Sequence, residues 1–300
     1  MNKSRLFNRL PKVASFFNLI FILNLLAGCG QAHRVAQQIT EVSQSFLSSR
    51  IIGGEAVQQD DPYRASTVDL YFGRTQPDVS NFCTGTLIAP KVVLTAGHCF
   101  ADFSKMQEMS VEELKQYVYV GFGSDVVKST NDSKVVFRKV VRVVVHPEYK
   151  VDSVRRAMKE PMQDLSILEL DEAAPETAHP AQVVTDKEIL QPGLVVDLVG
   201  FGVTSTQPRF VRATQLMKVS VSVDNPSITT AQFTYKNIGN HSACSGDSGG
   251  PAYLPSHNGE PVSVIGVTSW GDRSCAQMGA YTSVPAFSEW ILETTQQLSQ

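Results

Sequence analysis

Cys244-Ser245-Gly246-Asp247-Ser248-Gly249-Gly250-Pro251 sets one serine among glycines, with an acid before it and a proline after it. A serine hydroxyl is a weak nucleophile until a base takes its proton and hydrogen-bond donors stabilise the oxyanion. Glycines beside Ser248 let backbone N–H groups approach a substrate carbonyl, so the stretch predicts a histidine and a buried acid elsewhere in the chain. Both stand upstream. Leu94-Thr95-Ala96-Gly97-His98-Cys99 carries a histidine at the end of an apolar strand pattern, and Asp164-Leu165-Ser166-Ile167-Leu168-Glu169-Leu170 opens an alternating strand with an acid. Taken singly, each has a plainer reading as a turn, a core histidine or a cap. Order decides between chemistries. The spacing Gly246-x-Ser248-x-Gly250 also fits a strand-to-helix nucleophile elbow, in which the acid and then the histidine follow the serine. Here the only histidine after Ser248 is His257, with no acid between them, and the order is His98, Asp164, Ser248.

Outward from these motifs, the 300 residues are 42% hydrophobic and 18% charged, enough chain for two cores. Lys3, Arg5, Arg9 and Lys12 precede an apolar run from Val13 to Leu26 that Ser15, Asn18 and Asn24 interrupt. It is too short to span a bilayer comfortably, so residues 1–28 read as an export signal. Their removal takes four basic residues and no acid from 26 Lys plus Arg, leaving 22 against 29 Asp plus Glu and a formal charge of −7. That balance argues against nucleic acid or anionic lipid as a partner. Gly30 to Arg50 is polar and rich in Gln and Ser, a tether or pro-segment.

From Ala56 to Leu170 short β-rich runs alternate with turn residues: Ala65 to Phe72, Phe82 to Ile88, Val92 to Leu94, Tyr117 to Gly121, Val135 to Val145 and Leu165 to Leu170. Ser110 and Glu113 have capping-box spacing, which predicts a short helix at Val111 to Tyr117. Asp152 to Gln163 reads as a polar surface insertion, and Asp171 to Gln191 as an acidic, proline-bearing linker. Strand patterns resume at Leu194 to Gly202.

With Arg50-Ile51-Ile52-Gly53-Gly54 in front of them, the three motifs resemble the chymotrypsin/trypsin family of serine peptidases from Ile51 to the C-terminus. The resemblance implies an all-β fold of two antiparallel six-stranded β-barrels with a C-terminal helix, the helix at Pro285 to Leu292. The peptidase domain would be 51–300, with an N-terminal barrel over about 51–170, a linker over about 171–191 and a second barrel and helix over about 192–300. Two departures are visible. Phe201 stands where the family usually has Trp, and an optional disulfide is absent at both ends, Val196 and Leu216 to Val223.

The implied function is a serine endopeptidase acting on protein or peptide substrates, with His98, Asp164 and Ser248 catalytic and the N–H groups of Gly246 and Ser248 forming the oxyanion hole. Ser269-Trp270-Gly271 would pair with the substrate backbone, Ser242 would form the base of the specificity pocket and Gly271 and Gly279 its walls. A neutral base and small walls imply a large apolar or aromatic P1 residue. Because Cys275 to Tyr281 is shorter than usual, small apolar P1 residues are the alternative. No cofactor or metal is implied, and no His-Glu-x-x-His pattern occurs. A catalytically silent binding lipoprotein on the same fold is the competing class, and the presence of all three polar residues with Gly246 favours the enzyme.

The family pairs Cys83 with Cys99 and Cys244 with Cys275, leaving Cys29 as the odd one among five, in an oxidising compartment. Leu26-Ala27-Gly28-Cys29 resembles the bacterial lipobox, which implies lipidation of Cys29 and membrane anchoring of residues 29–50. The expected location is that of an exported lipoprotein, periplasmic or at the cell surface. Cleavage after Arg50 by a trypsin-like protease would free the Ile51 ammonium to insert beside Asp247 and would release the enzyme from its anchor.

Overall fold

The computed structural model describes residues 51–75, 77–150, 163–205, 211–229, 231–236, 241–256, 260–272, 274–275 and 277–300. The signal, Cys29 and the tether to Arg50 lie outside these residues, as does the polar insertion from Asp152 up to Gln163.

Strand β1 (Glu55–Ala56) and helix α1 (Tyr63–Ser66) lead into the first barrel. Its strands are β2 (Thr67–Phe72), β3 (Ser80–Ala89), β4 (Val92–Thr95), β5 (Val118–Phe122), β6 (Val136–Val145) and β7 (Ser166–Leu170). They close in the order β2-β3-β4-β7-β6-β5, every pair antiparallel. Closure removes the exposed strand edges that an open sheet would present. The strands fall within two residues of the β-branched and aromatic runs, with Tyr117 closing a 3₁₀ turn instead of opening β5 and a further difference at the start of β2. Ala65 and Ser66 belong to α1, because Pro62 at φ −62° presets a helical turn and the extended conformation starts only at Thr67.

Two short helices follow β4. Helix α2 (Ala101–Met106) carries no sequence signal, since Phe100 at its N-cap offers no side-chain acceptor. Helix α3 (Val111–Leu114) continues as a 3₁₀ turn to Tyr117, and its capping box forms as expected. Ser110 N–H donates to Glu113 Oε2 at 2.8 Å, and Glu113 N–H donates to Ser110 Oγ at 3.2 Å.

After a linker that holds β8 (Gln182–Val183), the second barrel uses β9 (Val195–Gly200), β12 (Met217–Thr229), β13 (Gln232–Lys236), β14 (Pro251–Tyr253), β15 (Ser263–Gly271) and β16 (Met278–Ser283). It closes as β12-β13-β16-β15-β14-β9, with β9 returning to β12. A small hairpin of β10 (Val203–Ser205) and β11 (Val211–Arg212) stands beside it. Helix α4 (Ser288–Leu298), entered by a 3₁₀ turn at Pro285–Phe287, buries Ile291 and Leu298 and sets Trp290 4.6 Å from the ring of His146. The fold is therefore two six-stranded antiparallel barrels and a C-terminal helix, as the resemblance implied.

Apolar side chains fill both barrels, and one buried cluster runs from the first into the second, reaching Val199, Val264 and Val267. Val68, Leu70, Leu87, Leu94, Val120 and Ile167 are buried in the first, and Val196, Leu198, Met217, Phe233 and Ile265 in the second. Two disulfides form, Cys83–Cys99 and Cys244–Cys275. The first ties β3 to the residue after His98, and the second ties the segment before Ser248 to the loop between β15 and β16. Leu94 has no exposed surface and lies on the strand that leads to His98. Leu94→Ala is expected to cost about 2–5 kcal/mol, read as a lower urea midpoint with an unchanged slope.

Candidate active site

Strands β4 and β7 are antiparallel neighbours, with Thr95 opposite Ser166. The chain that continues past Thr95 and the chain that arrives at Ser166 therefore share one end of the barrel, which brings His98 against Asp164. Asp164 has no exposed surface. Its Oδ2 lies 2.8 Å from His98 Nδ1 and accepts from Ser269 Oγ at 2.6 Å, while its Oδ1 accepts the His98 backbone N–H at 2.8 Å. A carboxylate without water costs several kcal/mol unless donors replace its hydration, and three donors do so here. The arrangement assigns the ring proton to Nδ1 and leaves Nε2 as an acceptor. Burial opposes charging of the His98 ring, but the Asp164 charge and hydrogen bond outweigh it, and the pKa is raised above its ordinary value.

Ser269 brings a further pair of side chains into this network. Gln232, buried on β13, donates from Nε2 to Ser269 Oγ at 3.1 Å and accepts the Trp270 indole N–H at 3.2 Å. A continuous chain of hydrogen bonds thus runs from Trp270 through Gln232 and Ser269 to Asp164. Gln232 has no motif around it, so nothing in the sequence singled it out.

Ser248 comes from the loop before β14, and the first barrel fixes that loop. Thr84 on β3 donates its N–H to Ser248 O at 2.8 Å and its hydroxyl to Gly246 O at 2.9 Å. Gly246 and Gly249 hold φ of +99° and +77°, a region that side chains rarely enter. A Cβ on Gly249 would also lie 2.7 Å from Thr84 O. Among the described residues the N–H groups of Gly246 and Ser248 have no protein acceptor. Ser248 and His98 line one cleft, and no hydrogen bond joins Ser248 Oγ to the ring among the described residues. Such bonds commonly tighten only in the Michaelis complex.

The cleft measures about 240 Å³ and is lined further by Trp270, Gly271, Ala243, Cys244, Cys275 and Gly279. Gly271 and Gly279 both line the cleft, and Ser242 is not among the described residues that do. Tyr235 pairs with Gly279 across β13 and β16 and fills the space that the missing Cβ leaves. A Cβ there would lie 2.6 Å from Tyr235 Cε1 and Oη. Ser242 is sealed behind that ring, its Oγ 3.0 Å from Tyr235 Oη and its side chain without exposed surface. Among the described residues, the potential metal ligands grouped within reach of one another are Cys83, His98 and Cys99, and the disulfide occupies both sulfurs.

The family described as Trypsin matches residues 51–291 of this chain. The chain belongs to the trypsin family. It is 31% identical over 258 residues to a trypsin of Saccharopolyspora erythraea, covering 81% of this chain and 97% of that one. A trypsin of the beetle Phaedon cochleariae is 27% identical over 239 residues, 74% of this chain and 81% of its own. Coagulation factor XI of Bos taurus is 25% identical over 276 residues, 86% of this chain and 40% of its own.

As a trypsin-family protein the chain is a serine endopeptidase, and its two disulfides accord with that membership. Within the trypsin-family fold, Asp247 is buried next to Ser248 in the chain and accepts from Cys244 N–H and Gly202 N–H, both at 2.8 Å. Desolvation outweighs those two bonds and pushes its carboxyl up to about 7. An acid whose folded pKa is raised stabilises the fold in its protonated form. This contribution is complete below about pH 4 and is lost as pH rises to about 7. Asp247→Asn is expected to flatten that part of a plot of melting temperature against pH.

Proposed function

We propose that this serine endopeptidase works through a Ser248–His98–Asp164 triad and is made as a lipid-anchored zymogen. The observation that carries the triad is the fully buried Asp164 holding His98 by both its backbone N–H and its Nδ1. Ser248 Oγ attacks the scissile carbonyl while its proton passes to His98 Nε2. The C–N bond then breaks as that proton passes to the leaving amine, and water repeats the sequence on the acyl-enzyme. Asp164 stays ionised and balances the imidazolium. The N–H groups of Gly246 and Ser248 receive the oxyanion, a contribution worth about 10²–10³ in turnover. An extended substrate lies along Ser269-Trp270-Gly271 as an added strand. Ser242 brings no countercharge, so an uncharged P1 side chain is favoured.

Ser248→Ala and His98→Ala are each expected to abolish peptide hydrolysis while leaving the melting transition in place, because triad members act as a unit. Turnover close to that of the unaltered enzyme in either variant would remove the triad. The raised pKa of His98 places the acid limb of kcat/KM above pH 6.5, with activity lost as pH falls and the ring takes a proton.

Activation rests on the segment after Arg50. Ile51 is buried, and Ile52 O accepts Ser242 N–H at 3.0 Å, so the segment lies against the residue expected at the pocket base. Ile51 also holds φ +52°, a β-branched residue in a left-handed conformation that costs on the order of 1–3 kcal/mol. Cutting the bond to Arg50 frees this torsion and creates an ammonium, whose partner is Asp247. Forming that ion pair lowers the Asp247 pKa and orders the loop around Gly246; removal of one partner from a buried pair costs about 3–5 kcal/mol. A trypsin-like protease supplies the cut, since the neutral Ser242 disfavours Arg at P1.

If lipid at Cys29 anchors the chain, the same cut separates the enzyme from the membrane. Arg50→Gln is expected to stay in the membrane fraction and remain inactive, whereas Cys29→Ser is soluble and still activated by added trypsin. Fractionation with an activity assay reads both variants, and active enzyme retained on membranes with Arg50 cleaved would break the coupling.

A further inference from the structure

We infer that Tyr235 is the specificity-determining residue of this enzyme and restricts P1 to small, uncharged side chains such as Ala, Ser and Val. The inference rests on the serine-peptidase reading above and names its substrate class. Three observations carry it. The ring of Tyr235 lies in the volume that Gly279 leaves open, with Cε1 and Oη 2.6 Å from where a Cβ would stand, so the missing side chain enlarges nothing for a substrate. Tyr235 and Ser242 both have no exposed surface, so the cleft ends before it reaches the residue that would interrogate a long P1 side chain.

The ring is also locked. Ala243 N–H donates to Tyr235 Oη at 2.9 Å, Tyr235 Oη donates to Ser242 Oγ at 3.0 Å, and Ser242 Oγ donates to Ala243 O at 3.0 Å. Every proton in this circuit has one destination, and displacing the ring would strand buried polar groups. Burial keeps the phenol neutral, with its pKa pushed up to about 12. The one acid among the described residues that line the cleft, Asp272, is engaged by its own loop. Its Oδ1 accepts from Gln277 N–H at 2.9 Å and Met278 N–H at 3.1 Å, and its Oδ2 accepts from Ser274 N–H at 3.2 Å. Those bonds tie Asp272 to the connection from β15 to β16.

The test is a series of peptide anilides differing only at P1 (Ala, Val, Leu, Phe, Lys), assayed with the full chain after trypsin treatment and trypsin inhibition. In the unaltered enzyme kcat/KM for Ala or Val is expected to exceed that for Phe and Lys by about 10-fold or more. Tyr235→Ala opens the floor and raises the Phe-to-Ala ratio by about 10–100-fold, while Tyr235→Phe keeps the ring and the preference for small residues. Unaltered enzyme that cleaves after Phe or Lys as well as after Ala overturns the inference even if Tyr235→Ala does not fold. So does an unchanged ratio in folded Tyr235→Ala. Labelling of Ser248 by a small organophosphonate separates the two levels. A labelled enzyme with an aromatic preference sinks the Tyr235 floor alone, and a chain neither labelled nor active sinks the serine-peptidase reading with it.

Discussion

A carboxyl group with no access to water sits where the two barrels meet, and the site is arranged around supplying it with hydrogen-bond donors. Asp164 belongs to the first barrel by sequence, yet one of its donors, Ser269, comes from the second. Its backbone oxygen accepts from Thr282 of the second barrel as well, at 3.4 Å. Were the barrels to separate, Asp164 would lose donors that no residue of its own barrel replaces. The energy of the interface and the orientation of His98 are thus one quantity. Thr84 repeats the logic from the other side, since a residue of the first barrel fixes the carbonyls of Gly246 and Ser248 in the second.

The pocket follows a different logic, one of volume. Gly279 alone reads as an invitation to a large side chain, and Ser242 alone as a neutral base. In the fold the two are already engaged with Tyr235, which reaches one through strand pairing and the other through its hydroxyl. The space beside a glycine is set by the nearest ring as much as by the missing side chain.

Much of this was legible in the residues themselves. Ser248, His98 and Asp164 each lie in a local pattern with a chemical reason, and the strand runs that carry them alternate clearly enough to be placed within a few residues. The capping box at Ser110 marked its helix, whereas α2 had no cap to announce it and α1 hid at the start of a β-rich run. Tyr235 and Gln232 were invisible for a shared reason. Both lie on β13, and their neighbours come from register with β16 and from packing across the barrel, which local sequence does not record. Ser242, expected at the pocket base, has no exposed surface and hydrogen-bonds Tyr235, a neighbour that local sequence does not record.

The bridging by Thr84 also bears on how the chain acquires activity as it folds. The contact of Thr84 with Gly246 spans 162 positions, that of Ser269 with Asp164 spans 105, and that of Asp164 with His98 spans 66. Closing such loops costs entropy before any contact repays it, so pairings of this range form late. A chain with only its first barrel assembled holds His98 and Asp164 without Ser248 or Ser269. The contacts that join His98 and Asp164 to the barrel of Ser248 are therefore among the last that folding completes.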